Sequence, residues 1–358
     1  MSAGGATGSG GSPPTGGTGT GGTGKGGGAG LGTGGNAPTS GAAGAAAAGG
    51  VAGASGAAGG ASGASGSTSG GAGGSTAGAS GAGGSTAGAG GSAGGGGMTM
   101  SAGCGKTRTL MNGRKTIQSG GNREYILRVP DNYDNSRPYR LIVAYHWLNG
   151  NANQVANGGG GGSTEDPYYG LWDLAENSTI FVAPEGLDAG WANSNGRDLA
   201  LTDAILAQVQ GDLCIDTTRI FATGFSYGAG MSYAVACARS NVFRGVALYA
   251  GAQLSGCMGG TMPVAYFHAH GLSDSVLNIS QGRTLRDRFV MNNGCTAQNP
   301  PEPSVGSGTH TCTSYAGCSE GHPVRWCAFD GDHNPTQKDR NQSKSWIPGE
   351  AWEFISQF

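Results

Sequence analysis

Between residues 1 and 97 the chain lacks almost everything a folded core is built from. Lys25 is the only charged residue there, and nearly every other position is Gly, Ala, Ser or Thr. Side chains this small bury too little apolar area to offset the entropy of ordering, so a disordered low-complexity linker is expected over 1–97. The stretch G-A-G-G-S-T-A-G-A begins at Gly71 and again at Gly81. Neither copy has an apolar face to stack, so this is linker drift and not a folding repeat. As a flexible coil the segment would span about 50–60 Å root-mean-square. Other absences exclude whole classes of function. A formal net charge of −2 gives no electrostatic reason to expect nucleic acid or an anionic membrane as partner. No run of about 18 strongly apolar residues is present, so no bilayer-spanning helix is expected. No basic segment precedes the weakly apolar stretch 42–54, so no signal peptide is visible. For an exported protein this implies a truncated start or a removed leader, and the linker then reads as a tether to an anchor or second module.

The eight cysteines lie at 104, 214, 237, 257, 295, 312, 318 and 327, with no CxxC pair among them. An even number without metal-type spacing reads as disulfides in a secreted protein. A local Cys312–Cys318 bridge is the plain expectation. The alternative is a zinc site of His310, Cys312, Cys318 and His322, whose spacing fits no common finger. No metal and no cofactor is expected.

Residues 98–358 have ordinary globular composition and suit one domain, expected to be a monomer. Apolar runs at 140–145, 179–184, 219–223, 243–250, 262–269 and 324–329 read as strands; an alternating run at 123–130 reads as a half-exposed one. Helical spacing is legible at 171–176, 197–211 and 229–238. Strands alternating with helices argue for an α/β fold with a mainly parallel sheet and helices on both faces. Asn157 to Gly162 is a glycine-rich run unsuited to regular structure, either a mobile rim or a neutral insertion.

The chain is organised around Gly224-Phe225-Ser226-Tyr227-Gly228, a GxSxG motif between a strand and a helix. In that setting a strained elbow lifts the serine hydroxyl above the sheet, and the glycines leave room for the neighbouring strand and helix. The Tyr227 N–H, at the helix start, is aimed at an oxyanion forming beside Ser226. A serine hydroxyl needs an imidazole to take its proton and a carboxylate to orient that imidazole. Asp274 and His333 each lie in a loop just after an apolar strand, in the order Ser, Asp, His of an α/β-hydrolase. Asp330 and Asp332 are the alternative acids, with turn capping as their plainer role. Of the other histidines, His146 and His270 follow strands but precede turns, His268 falls within a strand, and His310 and His322 lie in a cysteine-rich region. The loop after the 140–145 strand should give a second oxyanion N–H, assigned to Trp147; sheet-edge packing by His146 and Trp147 is the alternative. Trp191 follows Gly190 on a loop at the strands' carboxyl end and is a candidate stacking surface for an aromatic or sugar ring, with core packing equally open.

With these residues in place, 101–358 resembles the fungal-type feruloyl esterases and, through them, secreted polyhydroxybutyrate depolymerase-like esterases. The markers are Gly103-Cys104-Gly105-Lys106, Ala144-Tyr145-His146-Trp147-Leu148, Ala183-Pro184-Glu185-Gly186-Leu187, the elbow, His270-Gly271-Leu272-Ser273-Asp274 and Gly331-Asp332-His333-Asn334-Pro335. The resemblance implies cofactor-free hydrolysis of ferulate and related hydroxycinnamate esters on plant arabinoxylan through an acyl-enzyme, with Ser226, Asp274 and His333 as the triad. Two features depart from the family: the Asn149-Gly150-Asn151 stretch with its glycine run, and the long linker. Rival readings are an acetylxylan or polyester esterase with the same triad, and a non-catalytic carbohydrate-binding protein on this scaffold.

Overall fold

A computed structural model of the protein describes residues 98–159 and 166–358. The linker expected over 1–97 and residues 160–162 of the glycine-rich run 157–162 lie outside the described residues. Nine strands form one sheet: β1 (Gly113–Gln118), β2 (Asn122–Arg128), β3 (Tyr139–Tyr145), β4 (Thr179–Pro184), β5 (Ile215–Phe225), β6 (Gly245–Tyr249), β7 (Ala265–Gly271), β8 (His310–Ser314) and β9 (Val324–Phe329). Their spatial order is β1-β2-β4-β3-β5-β6-β7-β9-β8. The run from β4 to β9 is parallel, and antiparallel pairs close both flanks. This is the α/β-hydrolase architecture.

The sequence pattern explains the layering. Strand β3 is buried at every position, as a strand covered on both faces must be. Its alternate residues enter different cores: Leu141, Val143 and Tyr145 pack with helices α3 (Arg197–Asp212), α4 (Tyr227–Ala238) and α5 (Ile279–Asn292). Ile142 and Ala144 pack with α1 (Ala152–Asn157), α2 (Leu171–Leu174) and α6 (Ile347–Ser356). Strand β2 alternates partly and fully buried residues, which suits its place one strand in from the edge. Among the described residues no helix is long and apolar enough to cross a membrane.

Four disulfides join Cys104–Cys214, Cys237–Cys257, Cys295–Cys318 and Cys312–Cys327. The expected Cys312–Cys318 bridge is therefore corrected. Cys312 lies on β8 directly opposite Cys327 on β9, whereas Cys318 has left the strand and meets Cys295. Both cysteines of the alternative zinc set are consumed in these bridges, leaving no thiolate there to bind metal.

Candidate active site

The carboxyl ends of β3, β4, β5, β7 and β9 carry the residues singled out in the sequence. Strand β5 ends at Phe225 and α4 starts at Tyr227, leaving Ser226 alone at the corner with φ 55° and ψ −115°. A positive φ on a serine is strained backbone, and it persists because the surroundings over-determine it. The Ser226 N–H donates to the Tyr249 carbonyl at 3.0 Å, and the Ser226 carbonyl accepts from Gly230 N–H at 3.0 Å. A Cβ on Gly224 would penetrate the Gly228 backbone, and one on Gly228 would penetrate the carbonyls of Tyr145 and His146. The motif glycines thus let β5, α4 and the end of β3 approach within backbone contact.

His333 follows β9, and its Nδ1–H donates to Asp274 Oδ2 at 2.7 Å. This bond leaves Nε2 as the basic nitrogen. Nε2 is buried and has no hydrogen-bond partner among the described residues. The imidazole packs on Phe225, the neighbour of Ser226, with ring centroids 4.6 Å apart. No hydrogen bond joins Ser226 Oγ to His333 among the described residues; contacts between a catalytic nucleophile and its base are commonly long before substrate binds.

Asp274 is held from several sides. Its Oδ1 accepts the N–H groups of Val276 (2.9 Å) and Leu277 (2.7 Å). Its Oδ2, besides His333, lies 3.2 Å from His270 Nε2, which also donates to the Leu277 carbonyl at 2.8 Å. Burial alone would raise the carboxyl pKa, but the hydrogen bonds from His270, His333 and Leu277 outweigh it and hold it well below the usual carboxylate range. The alternative acids are engaged elsewhere. Asp332 accepts the N–H groups of Ser275 and His333, each at 2.7 Å, and Asp330 accepts Gly308 N–H at 2.6 Å, so both brace loops.

On the opposite side, neither Tyr227 N–H nor Trp147 N–H has an acceptor among the described residues. Both therefore remain available to a ligand. His146, for which sheet-edge packing was the alternative reading, is a fully buried hydrogen-bonding hub. Its Nε2 accepts Gly186 N–H at 3.0 Å, which fixes Nδ1 as the protonated nitrogen, and Nδ1–H donates to the Trp147 carbonyl at 2.7 Å. Burial pushes the imidazole below its ordinary pKa, so the ring is neutral as this tautomer requires.

Trp191 is corrected as a stacking surface. Its ring is 0% exposed, and a side chain with no open face cannot stack on substrate. It packs edge-on to Tyr145 (centroids 5.0 Å apart) and tilted against His146 (4.7 Å). His146 and His270 carry contacts that the motif reading did not reveal: His146 reaches Gly186, forty residues on, and His270 reaches Asp274 and Leu277 within its own loop.

No family model matches the chain. It is similar to feruloyl esterase D of Neurospora crassa, 49% identical over 268 residues that cover 72% of this chain and 90% of the relative. Feruloyl esterase C of Emericella nidulans is 48% identical over 255 residues, covering 71% and 90%. A bifunctional acetylxylan esterase/xylanase of Neocallimastix patriciarum is 25% identical over 257 residues, covering 67% of this chain and 34% of its own length.

Proposed function

The chain belongs to the feruloyl esterases, a group of carboxylic ester hydrolases, and from that premise we propose that it cleaves feruloyl and related hydroxycinnamoyl esters of plant arabinoxylan through an acyl-enzyme. The observation that carries this reading is the 2.7 Å His333–Asp274 bond, which leaves a buried, unpartnered Nε2 in a loop packed beside the elbow serine. Ser226 Oγ attacks the ester carbonyl as His333 Nε2 takes its proton, and Asp274 stabilises the resulting imidazolium. The N–H groups of Trp147 and Tyr227 hold the oxyanion. Collapse of the tetrahedral species breaks the ester C–O bond, and His333 returns the proton to the leaving sugar oxygen. Water then attacks the acyl-enzyme by the same route, releasing ferulate and restoring Ser226. The half-exposed Leu148 and the Tyr227 ring flank Gly190, an apolar surface suited to an aromatic acyl group. Four disulfides suit an oxidising compartment, and we propose that the enzyme acts outside the cell, as a monomer tethered through its linker.

The acetylxylan esterase relative supports a second reading, in which a small acetyl group replaces the aromatic acid. Product release from methyl ferulate, acetylated xylan and polyhydroxybutyrate, measured side by side, separates the two. Ferulate release is expected to dominate, with labelling by a fluorophosphonate probe lost in Ser226→Ala together with about a million-fold of turnover. Turnover of the acetyl or polyester substrate alone would overturn the aromatic assignment.

A further inference from the structure

We propose that Trp191 is a positioning residue for catalysis: its indole N–H locks the peptide plane whose amide serves as the second oxyanion donor. The inference rests on the oxyanion role given above to Trp147 N–H. That amide shares one peptide unit with the His146 carbonyl, and a planar trans peptide points its N–H and C=O in opposite directions. Fixing the oxygen therefore fixes the hydrogen. Trp191 Nε1–H donates to this His146 oxygen at 2.7 Å inside the protein. The next peptide unit is gripped in the same way, since the Trp147 carbonyl accepts His146 Nδ1–H at 2.7 Å and Gly150 N–H at 3.0 Å. Two consecutive carbonyls are thus held from behind, and the intervening Trp147 amide hydrogen has no acceptor among the described residues.

The clamp is itself braced. The Trp191 carbonyl accepts Ser255 Oγ–H at 2.6 Å, and Asn193 Nδ2–H donates to the Ser255 carbonyl at 3.0 Å. Asn193 N–H donates to Asp198 Oδ2 at 2.8 Å, and the other Asp198 oxygen pairs with buried Arg123 at 2.9 Å. A buried ion pair with every oxygen engaged anchors a loop more firmly than an exposed one. Any buried indole N–H needs an acceptor; here that acceptor is the carbonyl back to back with the Trp147 amide.

The decisive experiment replaces Trp191 with 3-benzothienylalanine, which keeps the bicyclic shape and substitutes sulfur for the N–H, alongside Trp191→Phe. Each variant is assayed with methyl ferulate and titrated with phenylboronic acid, whose serine adduct carries a tetrahedral oxyanion, and with ferulate as a product that lacks one. Removing a whole oxyanion donor costs about 100- to 1,000-fold in kcat. Loosening one should cost about 10- to 100-fold on that scale. The boronate affinity is expected to fall in parallel, with KM and ferulate affinity within about twofold of the unsubstituted enzyme. If the phenylalanine variant does not fold, the isosteric analogue decides. Unchanged kcat and boronate affinity in the analogue would overturn the proposal, as would equal losses in boronate and ferulate binding, which mark general disruption of the pocket. If the unsubstituted enzyme neither hydrolyses esters nor takes up the fluorophosphonate probe, the esterase reading fails first and separately.

Discussion

On one side of Ser226 stand Asp274 and His333, on the loops after β7 and β9; on the other stand two backbone amides, on the loop after β3 and at the start of α4. In the proposed mechanism the first side works through titratable side chains and the second through peptide dipoles, which no substitution other than proline removes. Their supports differ accordingly. Asp274 gathers hydrogen bonds directly onto its two oxygens, whereas the Trp147 amide is left unpaired and its neighbouring carbonyls are held. One half of the site is stabilised at the functional atom and the other beside it. The same substitution strategy should therefore give different outcomes on the two sides.

The largest contrast is expected from Asp274→Asn. Asparagine can keep the oxygen that accepts Val276 and Leu277 N–H, so the loop should stay folded. Its amide would then face His333 Nδ1 and favour the wrong tautomer, with the proton on Nε2. Turnover of methyl ferulate should fall about ten-thousand-fold in a chain that still folds, though with the stability of the depressed carboxylate lost. Near wild-type turnover would move the acid to Asp330 or Asp332.

A smaller loss is expected from Trp147→Pro, which deletes the amide hydrogen and keeps the carbonyl that Trp191 holds. Removing one oxyanion donor should lower kcat by about 100- to 1,000-fold. Trp147→Phe keeps the N–H and should stay within about tenfold of wild type on the same scale. Equal losses in the two variants would assign the effect to the indole ring, which packs beneath Gly150, and would remove the backbone role.

This asymmetry also explains what could be read from the sequence. The positions of the acid–base side were legible because apolar runs mark β5, β7 and β9, and because Ser226, Asp274 and His333 follow their ends in chain order. The amide side was legible only as a place in the chain. A glycine followed by a tryptophan on a loop reads alike for an exposed platform and for a buried clamp; what surrounds Trp191 is Tyr145, His146 and Ser255, none adjacent to it in the chain. Helix α5 was missed because Gly282 and Arg286 interrupt its apolar face, yet Gly282 is there for packing, since a Cβ would penetrate the His270 ring. Edge strands β1 and β8 have no fully buried position and so no strong apolar pattern. Disulfide pairing depends on the β8–β9 register, which cysteine spacing alone does not contain.

The two sides should also respond to different ranges of pH. Burial lowers the pKa of His146, and lowers that of buried His268 further, so below about pH 6.5 the unfolded chain binds protons that the folded one does not. Stability then falls with decreasing pH, by up to about 1.4 kcal/mol per pH unit for each such group. Asp274 has the same sign in a lower window. Its carboxyl is depressed in the folded state, so its contribution is fully present above the unfolded value of about 3.9 and is lost as pH falls towards the folded value. Urea midpoints of wild type and His146→Gln should therefore fall with different slopes between pH 6.5 and 5, the variant being the flatter. The gap between wild type and Asp274→Asn should hold steady over that interval and narrow only below about pH 4. A gap already closing at pH 6 would mean that Asp274 is not the carboxylate those hydrogen bonds describe. Parallel slopes for wild type and His146→Gln would mean that the imidazole behind the oxyanion loop is not kept neutral by its burial.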